Sequence, residues 1–566
     1  MKLKSIYGLA LAALAAGAAV TACTDANDWD TNPAFDRMFG VNSNKISIET
    51  NQEDPSTVNV TFNPIKGAEY YIIEVSTDSL TDEVEMGGEN ATVYGEDKSL
   101  TKSPATLVNM REETSYYMRM KTMSSTTPES KWVYYNLGAP FKTLGIIYDV
   151  PSADILENSV TLRWITKTGT VTHITYTTSE NGQDVTETRT LTDAEIAAGV
   201  CTITGLKENK TYKFAIYNGE VLRGTKTVKT AKAMPWATVR QELGDDVTQI
   251  DQELMDMLAQ KALDIMAAEG KDTASVTIGV PAGKTLTLGT TEESLNVPEG
   301  ISVTFFGLAG EVPTLQVYKS LDVAGNHGYV RFEHINVDGM YDGDAGVKGC
   351  EYVINQEAAC SIDSLSFVEC NISNLNSALV RIKSGDYKEI NKLRIDNCIV
   401  TNHAGAYQFL CFAKVDFKID DIEITNSTFN KICQGKKTFI DLENSAYNTN
   451  INVEGCTFYN LLGDGAYLIS AKGVTGSVNA TFFKVLLAKT YTEKARGYQG
   501  DNITISAPSS YLLSDFVFEK NKLDMFNTYN GNSSDVFTDP ASGDFTLKVN
   551  DLIREEVGDP RWYTTQ

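Results

Sequence analysis

The sequence predicts an all-β protein in which two small β-sandwiches precede a long parallel β-helix. Two observations carry this prediction. In the C-terminal half, a pattern of apolar residues repeats with central spacings of 28, 29 and 29 residues, and such a period indicates a solenoid of stacked repeats. Residues 45–230 consist instead of short alternating apolar segments separated by turn residues, which is typical of antiparallel strands.

Each copy of the repeat has one anchor residue, with apolar residues at positions −8, −5, −3 and +2 relative to it. Around Cys370 these positions hold Ile362, Leu365, Phe367 and Ile372. Alternation that skips one position describes two short strands joined by a bend rather than a helical stripe. Each copy is therefore predicted to form one rung, and stacked rungs to form the core. The seven predicted anchors are Ile335, Cys370, Cys398, Ser427, Cys456, Phe483 and Asn521.

The cysteine anchors raise the question of a disulfide. Stacking places the side chains of successive rungs about 4.8 Å apart. The Cα distance then allows a bond between Cys370 and Cys398, but the Cβ atoms lie near the same spacing, beyond the usual disulfide range. Buried thiols that pack as small apolar groups are favoured. The nine cysteines of the chain form no CxxC pair, so a disulfide-stapled scaffold is not indicated.

The composition excludes several classes of partner. The chain has 566 residues and a formal net charge of −25. An acidic surface of this kind disfavours nucleic acid and anionic membranes as partners, and it is expected of a secreted protein that must stay soluble. The four histidines form neither an HxxxH nor an HExxH spacing, so a zinc site is not predicted.

Residues 1–22 have the properties of an export signal. Lys2 and Lys4 precede the apolar run 9–20, which is too short to span a membrane. The run ends in Val-Thr-Ala-Cys, with the cysteine at Cys23, and this resembles the lipobox of bacterial lipoproteins. The resemblance implies lipidation of Cys23 and a tether over residues 23–40. The alternative is an ordinary signal peptide followed by a chance cysteine.

An acidic stretch, Thr-Asp-Ala-Asn-Asp-Trp-Asp, follows Cys23. It resembles the surface-export signal of Bacteroidota lipoproteins. This resemblance implies a lipid-anchored protein on the outer face of the outer membrane, in contact with the membrane only through its lipid.

Two segments, 41–144 and 145–232, resemble fibronectin type III domains. In the second segment, Trp164 matches the family's core tryptophan and Tyr212 its corner tyrosine, which is a structural hydrogen bond rather than a site. In the first, Tyr116 matches the corner, and phenylalanine replaces the tryptophan at Phe62. Both modules are expected to act as spacers, with ligand binding as the alternative.

Three aromatic residues of the first module are open to a second interpretation. Trp132, Tyr134 and Tyr135 lie close together in the sequence. They are candidates for contact with sugar if exposed, while core packing is favoured for at least two of them.

Residues 233–272 are predicted to form a linker and one capping helix. Ile250, Leu254, Met257, Leu258 and Ile265 share a face at helical spacing, and a glycine at 270 ends the pattern. The first predicted solenoid strands, 275–279 and 284–288, follow directly. An open solenoid end exposes unpaired backbone, so the helix is expected to cover it.

The C-terminal region, 273–566, carries a more specific resemblance. The segment 280–288 resembles the first rung of pectate-lyase-like β-helix proteins. The tail segments 537–545 and 557–562 resemble the end of this domain in uncharacterised Bacteroidota lipoproteins of polysaccharide-utilisation loci. The resemblance implies a right-handed parallel β-helix, but this fold hosts lyases, hydrolases and non-catalytic binders.

A further strand is expected about ten residues after each anchor. If Val380, Ile382, Ile440 and Leu442 point inward, charged neighbours share an outer face able to hold a chain of sugars. The alternative interpretation is a solvated ladder of ion pairs. The glycan-binding candidates are Arg381, Lys383, Lys414, Asp441, Glu443 and Lys472.

The same face offers the parts of a lyase. Elimination from a uronate needs a base near the proton α to the carboxylate and a group that neutralises the carboxylate, often calcium. Arg381 and Lys383 are the candidate bases, and Asp441 and Glu443 are weak candidate calcium ligands. No other cofactor is predicted.

The leading functional hypothesis is a cell-surface lipoprotein that binds extracellular polysaccharide for uptake and degradation, alone or with other surface proteins of an uptake system. It rests on the order of anchor, spacers and β-helix. The alternatives are a surface polysaccharide lyase acting on a uronate polymer, and an adhesin or structural surface protein.

Overall fold

The computed structural model describes residues 37–270, 273–356, 358–382, 386–414 and 416–563. The chain divides into two compact units, the first ending at Ala231 and the second beginning at Lys232. The predicted lipidation site Cys23 and the candidate base Lys383 lie outside the described residues. No helix in the described part of the chain is long and apolar enough to cross a membrane.

The first sandwich packs two antiparallel sheets around a core that contains Phe62, only 2% exposed. The hydroxyl of Tyr116 accepts a hydrogen bond from the backbone N–H of Arg111 at 3.0 Å, which confirms the predicted tyrosine corner. The short helical turns are Ser43–Lys45 and Tyr135–Gly138. The strands are Ser47–Thr50, Val58–Thr61, Tyr70–Ser76, Ala91–Tyr94, Ala105–Leu107, Ser115–Met123, Val133–Tyr134 and Phe141–Lys142.

The second sandwich pairs a two-stranded sheet with a four-stranded one. Trp164 is buried in its core, and the Tyr212 hydroxyl accepts from the backbone N–H of Lys207 at 3.0 Å, which confirms the second corner. The helical segments are Ser152–Asp154 and Asp193–Ala198. The strands are Ser159–Arg163, His173–Glu180, Gln183–Thr190, Val200–Thr204, Thr211–Asn218 and Val221–Lys229.

The three aromatic candidates of the first sandwich are half-buried and engaged within it. The Trp132 ring lies 4.2 Å from the guanidinium carbon of Arg119. Tyr134 donates its hydroxyl hydrogen to Asp82 at 2.6 Å, and Tyr135 packs edge-on against a phenylalanine. Their contacts favour the packing interpretation over sugar binding.

The second unit is a parallel β-helix with three sheets, and all of their strand pairs are parallel. Sheet 1 consists of Val239–Glu242, Ala274–Val280, Ile301–Gly307, Gly325–Glu333, Cys360–Val368, Lys388–Asp396, Phe417–Thr425, Thr449–Glu454, Val478–Phe483 and Ile503–Ser506. Sheet 2 consists of Gln249–Ile250, Thr285–Leu288, Thr314–Val317, Asn336–Asp338, Asn371–Leu375, Ile399–His403, Thr428–Asn430, Thr457–Tyr459, Leu486–Leu487, Tyr511–Leu512 and Asn527–Thr528. Sheet 3 consists of Leu295–Val297, Leu321–Val323, Tyr352–Gln356, Ala378–Ile382, Leu410–Cys411, Ile440–Asp441, Tyr467–Ser470 and Arg496–Gln499.

The anchor residues occupy the bend between sheet 1 and sheet 2, as predicted, in five rungs. The sulfur of Cys370 donates to the carbonyl oxygen of Val368 at 3.3 Å, and the Ser427 hydroxyl donates to that of Thr425 at 2.6 Å. Cysteine and serine recur here because either side chain supplies a donor to the carbonyl two residues earlier. The five anchors are Ile335, Cys370, Cys398, Ser427 and Cys456.

The predicted register is wrong in the last two copies. Ala480 pairs with Ile451, so the residue equivalent to Cys456 is Val485 and not Phe483. Because Phe482 and Phe483 are adjacent and both apolar, the sequence does not show which of them faces inward. Only Phe482 points into the core. The final anchor is Ser510 rather than Asn521, whose neighbours cover the end of the core instead.

All eight cysteines among the described residues are free and buried, which confirms the prediction of packed thiols. Burial raises the pKa of the Cys370 thiol well above its ordinary value.

The capping helix spans Gln252–Glu269, between the N-cap Asp251 and a left-handed Gly270. It packs against the solenoid core, as predicted, and Leu254, Leu258 and Ile265 of the predicted face contact that core. The other two predicted residues do not belong to this face. Met257 is 56% exposed and Ile250 belongs to a sheet-2 strand. Small residues such as Ala259 and Ala262 allow the helix to approach the core closely. A pattern of large apolar side chains does not predict them. The buried helix residues are Met255, Leu258, Ala259 and Ala262.

The region between the sandwiches and the first predicted solenoid strand is more than a linker. Val239–Glu242 pairs with the strand Ala274–Val280, and Gln249–Ile250 pairs with Thr285–Leu288. The solenoid therefore begins before the capping helix. Sheets 1 and 2 each have a strand that precedes residue 273, the predicted start of the domain.

The C-terminal tail covers the outer face of sheet 2. Asp559 accepts a hydrogen bond from the Thr428 hydroxyl at 2.7 Å, and the Trp562 indole N–H donates to the same hydroxyl oxygen at 2.8 Å. Burial raises the pKa of the Asp559 carboxyl. The tail elements are Ser533–Val536, Phe537–Asp539, Asp544–Leu547, Asn550–Arg554 and Pro560–Trp562.

Candidate functional site

The outer face of sheet 3 carries a column of aligned polar residues. Val380, Ile382, Ile440 and Leu442 are buried in the core, as predicted, so their neighbours point outward. Successive strands lie about 4.8 Å apart, which separates every second member of the column by about 10 Å. The aligned residues are Asn355, Arg381, Cys411, Asp441, Ser470 and Gln499.

Arg381 lies among aromatic and amide groups. Its guanidinium donates to the side-chain oxygen of Asn355 at 3.0 Å and lies 4.9 Å from the centre of the Tyr352 ring. That ring meets Tyr407 edge-on at 5.8 Å, and the Lys437 ammonium lies 5.6 Å from the Tyr407 ring. The two tyrosine rings thus lie next to each other between two cations, Arg381 and Lys437.

Asp441 stands two rungs further along the column and is only 3% exposed. One of its carboxylate oxygens accepts from the Gln408 amide at 2.8 Å, and the other accepts from the backbone N–H of Glu443 at 3.1 Å. Burial raises the pKa of Asp441 to about 6, and the nearby Glu443 carboxylate acts in the same direction. Because it is so little exposed, Asp441 stabilises the local hydrogen-bond network of sheet 3 and presents almost no surface to a ligand.

The Glu443 carboxylate accepts hydrogen bonds from the Ser470 hydroxyl and the Gln499 amide, both at 2.8 Å. No group of three or more His, Cys, Asp or Glu residues within the described ranges is arranged to hold a metal ion. The assignment of calcium to Asp441 and Glu443 therefore stays a prediction that this geometry does not favour.

The six predicted site residues do not form one cluster. Lys414 is half-buried beyond its sheet-3 strand, and Lys472 is exposed in a turn. Arg381 faces an open groove, while Asp441 and Glu443 belong to the hydrogen-bonded ladder two rungs away. Lys383 lies outside the described residues.

The groove beside Arg381 has a volume of about 540 Å³. Lys319 and Lys348 are exposed at this groove, and neither ammonium forms an ion pair with the described residues. Three cations, Lys319, Lys348 and Arg381, line it with one carboxylate, Glu351, among its described lining residues. We call it the cationic groove. Its principal lining residues are Tyr318, Lys319, Lys348, Glu351, Tyr352, Asn355, Asn376 and Arg381.

Most of these lining residues were missed by the sequence reasoning. They come from three successive rungs, and the middle rung includes the loop 339–351. The signal that points to this loop is the 35-residue spacing between Ile335 and Cys370, seven more than the shortest central spacing. Long loops on a rigid scaffold commonly carry binding residues.

An ion-pair ladder is present on the outer face of sheet 1. Lys392 contacts Glu423 at 2.7 Å, and Lys418 contacts Asp420 at 2.8 Å. The contacts described above for sheet 3 are instead hydrogen bonds and cation–π contacts. The two faces are not exclusive in chemistry, because Arg496 of sheet 3 also pairs with Glu519 at 3.6 Å. The amides and rings of sheet 3 suit a sugar ligand.

Two histidines near the rungs have structural contacts. Both ring nitrogens of His327 lie 2.7 Å from backbone carbonyl oxygens. His403 is buried, its Nδ1 accepts from the backbone N–H of Cys433, and burial lowers its pKa to about 4.

The comparisons with known proteins bear on the fold. A family model described as a domain of unknown function, DUF5123, matches residues 451–562, about a fifth of the chain. No curated protein matches. Among solved structures, a segment of two fibronectin type III domains from chicken tenascin is 15% identical over 33% of this chain and 99% of that chain, with a TM-score of 0.18. The chicken CNTN1 FN1–FN3 domains are 13% identical over 35% and 69%, with a TM-score of 0.13.

These TM-scores carry no argument by themselves. The assignment of the sandwiches rests on their sheet topology and on the two tyrosine corners described above. The chain is thus an all-β protein with two fibronectin type III-like sandwiches and a parallel β-helix, whose last rungs and tail are similar to DUF5123.

Proposed function

We propose that this protein is a cell-surface lipoprotein that binds extracellular polysaccharide, with the cationic groove of the β-helix as its principal contact. The observation that carries the proposal is the combination of rings, amides and cations in this groove. Tyr318 offers flat apolar surface to the carbon-bound hydrogens of a sugar ring, and Tyr352 holds the Arg381 guanidinium beside it. Asn376 offers a donor and an acceptor for hydroxyl groups, and Asn355 orients Arg381.

The groove also suits a polymer rather than a small metabolite. It opens along an outer face on which the rungs repeat at about 4.8 Å, so a chain extends along the solenoid without entering a closed cavity. Arg381 and the two lysines attract carboxylate or sulfate groups, which a protein with a net charge of −25 otherwise repels.

The proposed location rests on the sequence. The lipobox-like segment ending at Cys23 and the acidic stretch after it support a lipid anchor on the outer face of the outer membrane. Two sandwich modules between anchor and solenoid are consistent with spacers that keep the cationic groove accessible to large polymers. The bound polymer would then be taken up by the same cell. Incorporation of labelled palmitate, and its loss in Cys23→Ser, tests the anchor.

Affinity electrophoresis tests the binding. The purified chain is run in gels that contain polygalacturonate, hyaluronate, chondroitin sulfate or neutral plant polysaccharides. We expect retardation by at least one acidic polymer, reduced by Lys348→Gln and by Arg381→Gln. The control is Arg394→Gln, which removes a cation from the ladder of sheet 1. Absence of retardation in every gel would refute the proposal and favour an adhesin or structural protein.

The same polymers test the lyase alternative. Arg381 is the one described candidate base, and it faces the cationic groove. New ultraviolet absorbance from unsaturated uronate, lost in Arg381→Gln, would replace the binding proposal with a polysaccharide lyase.

A further inference from the structure

A second groove lies on the other side of the loop 339–351. It has a volume of about 550 Å³. It follows the turn between sheets 2 and 3, whereas the cationic groove borders sheet 3. We call it the amide groove, after the side chains on its floor. Its principal lining residues are Tyr341, Asp342, Asn374, Asn402, Gln434 and Tyr491.

The floor of the amide groove is a flat stack of peptide groups from three successive rungs. The backbone N–H of Gly435 donates to the carbonyl oxygen of Ala404 at 3.0 Å. A Cβ atom at Gly435 would lie 2.3 Å from the carbonyl oxygen of Gly405. Glycine is therefore required at this position for the close stacking of the two rungs.

The amides on the floor have fixed orientations. The Asn374 side-chain N–H donates to Asp338 at 3.0 Å, and the Asn402 side-chain N–H donates to the Asn374 side-chain oxygen at 2.8 Å. Both asparagines are held in the left-handed region, with φ of 56° and 61°. The Asn402 side-chain oxygen is the last group in this series of hydrogen bonds, and it accepts no hydrogen bond from the described residues. A preorganised acceptor of this kind loses little entropy when it binds a hydroxyl group.

Two tyrosines and two aspartates line the rest of the amide groove. Tyr491 is 46% exposed, and Tyr341 is half-buried at the loop. Their rings offer apolar surface next to the amides. None of the described side chains that line this groove is cationic, and Asp342 and Asp344 add two carboxylates. A polymer with carboxylate or sulfate groups is repelled here by like charge, whereas hydroxyl groups find acceptors.

We propose that the amide groove is a second glycan site, and that it takes an uncharged segment of polysaccharide. The asparagine and glutamine side chains bind hydroxyl groups, and Tyr491 packs against a sugar ring. The floor from Asn374 to Gln434 covers three rungs, or about 10 Å, which fits a short stretch of a longer chain. This inference does not depend on the cationic groove, because its residues and its ligand charge are different.

Affinity electrophoresis of the whole purified chain in galactomannan, xyloglucan, arabinan and mixed-linkage β-glucan tests the inference. We expect retardation by at least one of these neutral polymers. We expect Tyr491→Ala to weaken it at least about tenfold, which corresponds to about 1.4 kcal/mol. A second variant, Asn402→Asp, keeps the shape of the side chain but replaces the N–H that donates to the Asn374 oxygen with a second acceptor. Binding should weaken because the hydrogen bond that orients the Asn402 oxygen is lost.

Two controls separate this site from its surroundings. Tyr387→Ala removes a tyrosine of equal exposure, 46%, from the sheet-1 side and should leave retardation unchanged. Lys348→Gln should leave retardation by neutral polymers unchanged and reduce only retardation by acidic polymers. Circular dichroism confirms that each variant is folded.

The outcomes distinguish the two proposals. Retardation by acidic polymers alone would overturn the inference and leave the proposed function in place. Retardation by neutral polymers that neither Tyr491→Ala nor Asn402→Asp weakens would also overturn it. Retardation by neutral polymers alone, lost in Tyr491→Ala, would support the amide groove and remove the cationic groove from the proposed function.

Discussion

Replacement of the buried carboxylate of Asp441 should stabilise the β-helix at neutral pH. The side chain is only 3% exposed, and burial raises its pKa from about 3.8 to about 6. An acid whose folded-state pKa is raised disfavours the native state when it is ionised. This penalty is fully present above pH 6, and it disappears as the pH falls below the pKa of the unfolded chain.

The size of the effect follows from the shift. The raised pKa corresponds to a penalty of about 3 kcal/mol at pH 7, and less than about 1 kcal/mol of this penalty is left at pH 4. Asp441→Asn removes the charge and keeps the shape. The new amide keeps its oxygen on the Glu443 N–H. The Gln408 amide, whose N–H₂ faces Asp441 in the natural chain, has to turn over so that its side-chain oxygen accepts from the new N–H₂ group.

The measurement is urea unfolding of the solenoid at pH 7 and at pH 4, for the natural chain and for Asp441→Asn. We expect a gain of about 2 to 3 kcal/mol at pH 7 that shrinks to less than about 1 kcal/mol at pH 4. Asp501→Asn, at an exposed position, is the control and should show neither change. A gain of equal size at both pH values, or a loss at pH 7, would show that the buried charge is not the cause.

Three further predictions concern the scaffold. Gly435→Ala should destabilise the solenoid by about 2 kcal/mol or more, because its Cβ atom meets backbone, whereas Gly88→Ala, with open space around it, should be neutral in thermal unfolding. Cys398→Ser should retain the anchor hydrogen bond and cost less in urea unfolding than Cys398→Ala, which leaves a carbonyl without its donor. Thr428→Val should free the tail by removing the hydroxyl group that contacts Asp559, at a cost of about 1 to 3 kcal/mol, and limited proteolysis should then cleave the tail faster than in the control Thr438→Val.

The sequence predicted the solenoid because the inner face of each rung is set by alternation within one short segment. Leu365 and Leu393 occupy equivalent core positions for this local reason. The same reasoning failed where alternation is ambiguous, as at Phe482, and where close packing depends on small residues, as at Ala259. Both errors arise because the sequence pattern records apolarity but not the distance between elements.

The candidate site was less predictable. Arg381 was found because it alternates with core residues of its own strand. Tyr318 and Lys348 were not, because they reach the same groove from different rungs, 30 residues apart in the sequence. Contacts of this kind are determined by the stacking register, and a two-residue error, such as the one at Phe483, is enough to assign a neighbour to the wrong position.

The position of the family match adds an argument about function. Residues 451–562 contain the last rungs and the tail that covers sheet 2. The cationic groove is built entirely from residues before this segment, and the amide groove takes only Tyr491 from it. The match therefore describes how the solenoid ends, whereas the residues of the cationic groove lie outside it. Because the match leaves out the loop 339–351 and nearly all residues of the two grooves, binding has to be tested with variants of those groove residues.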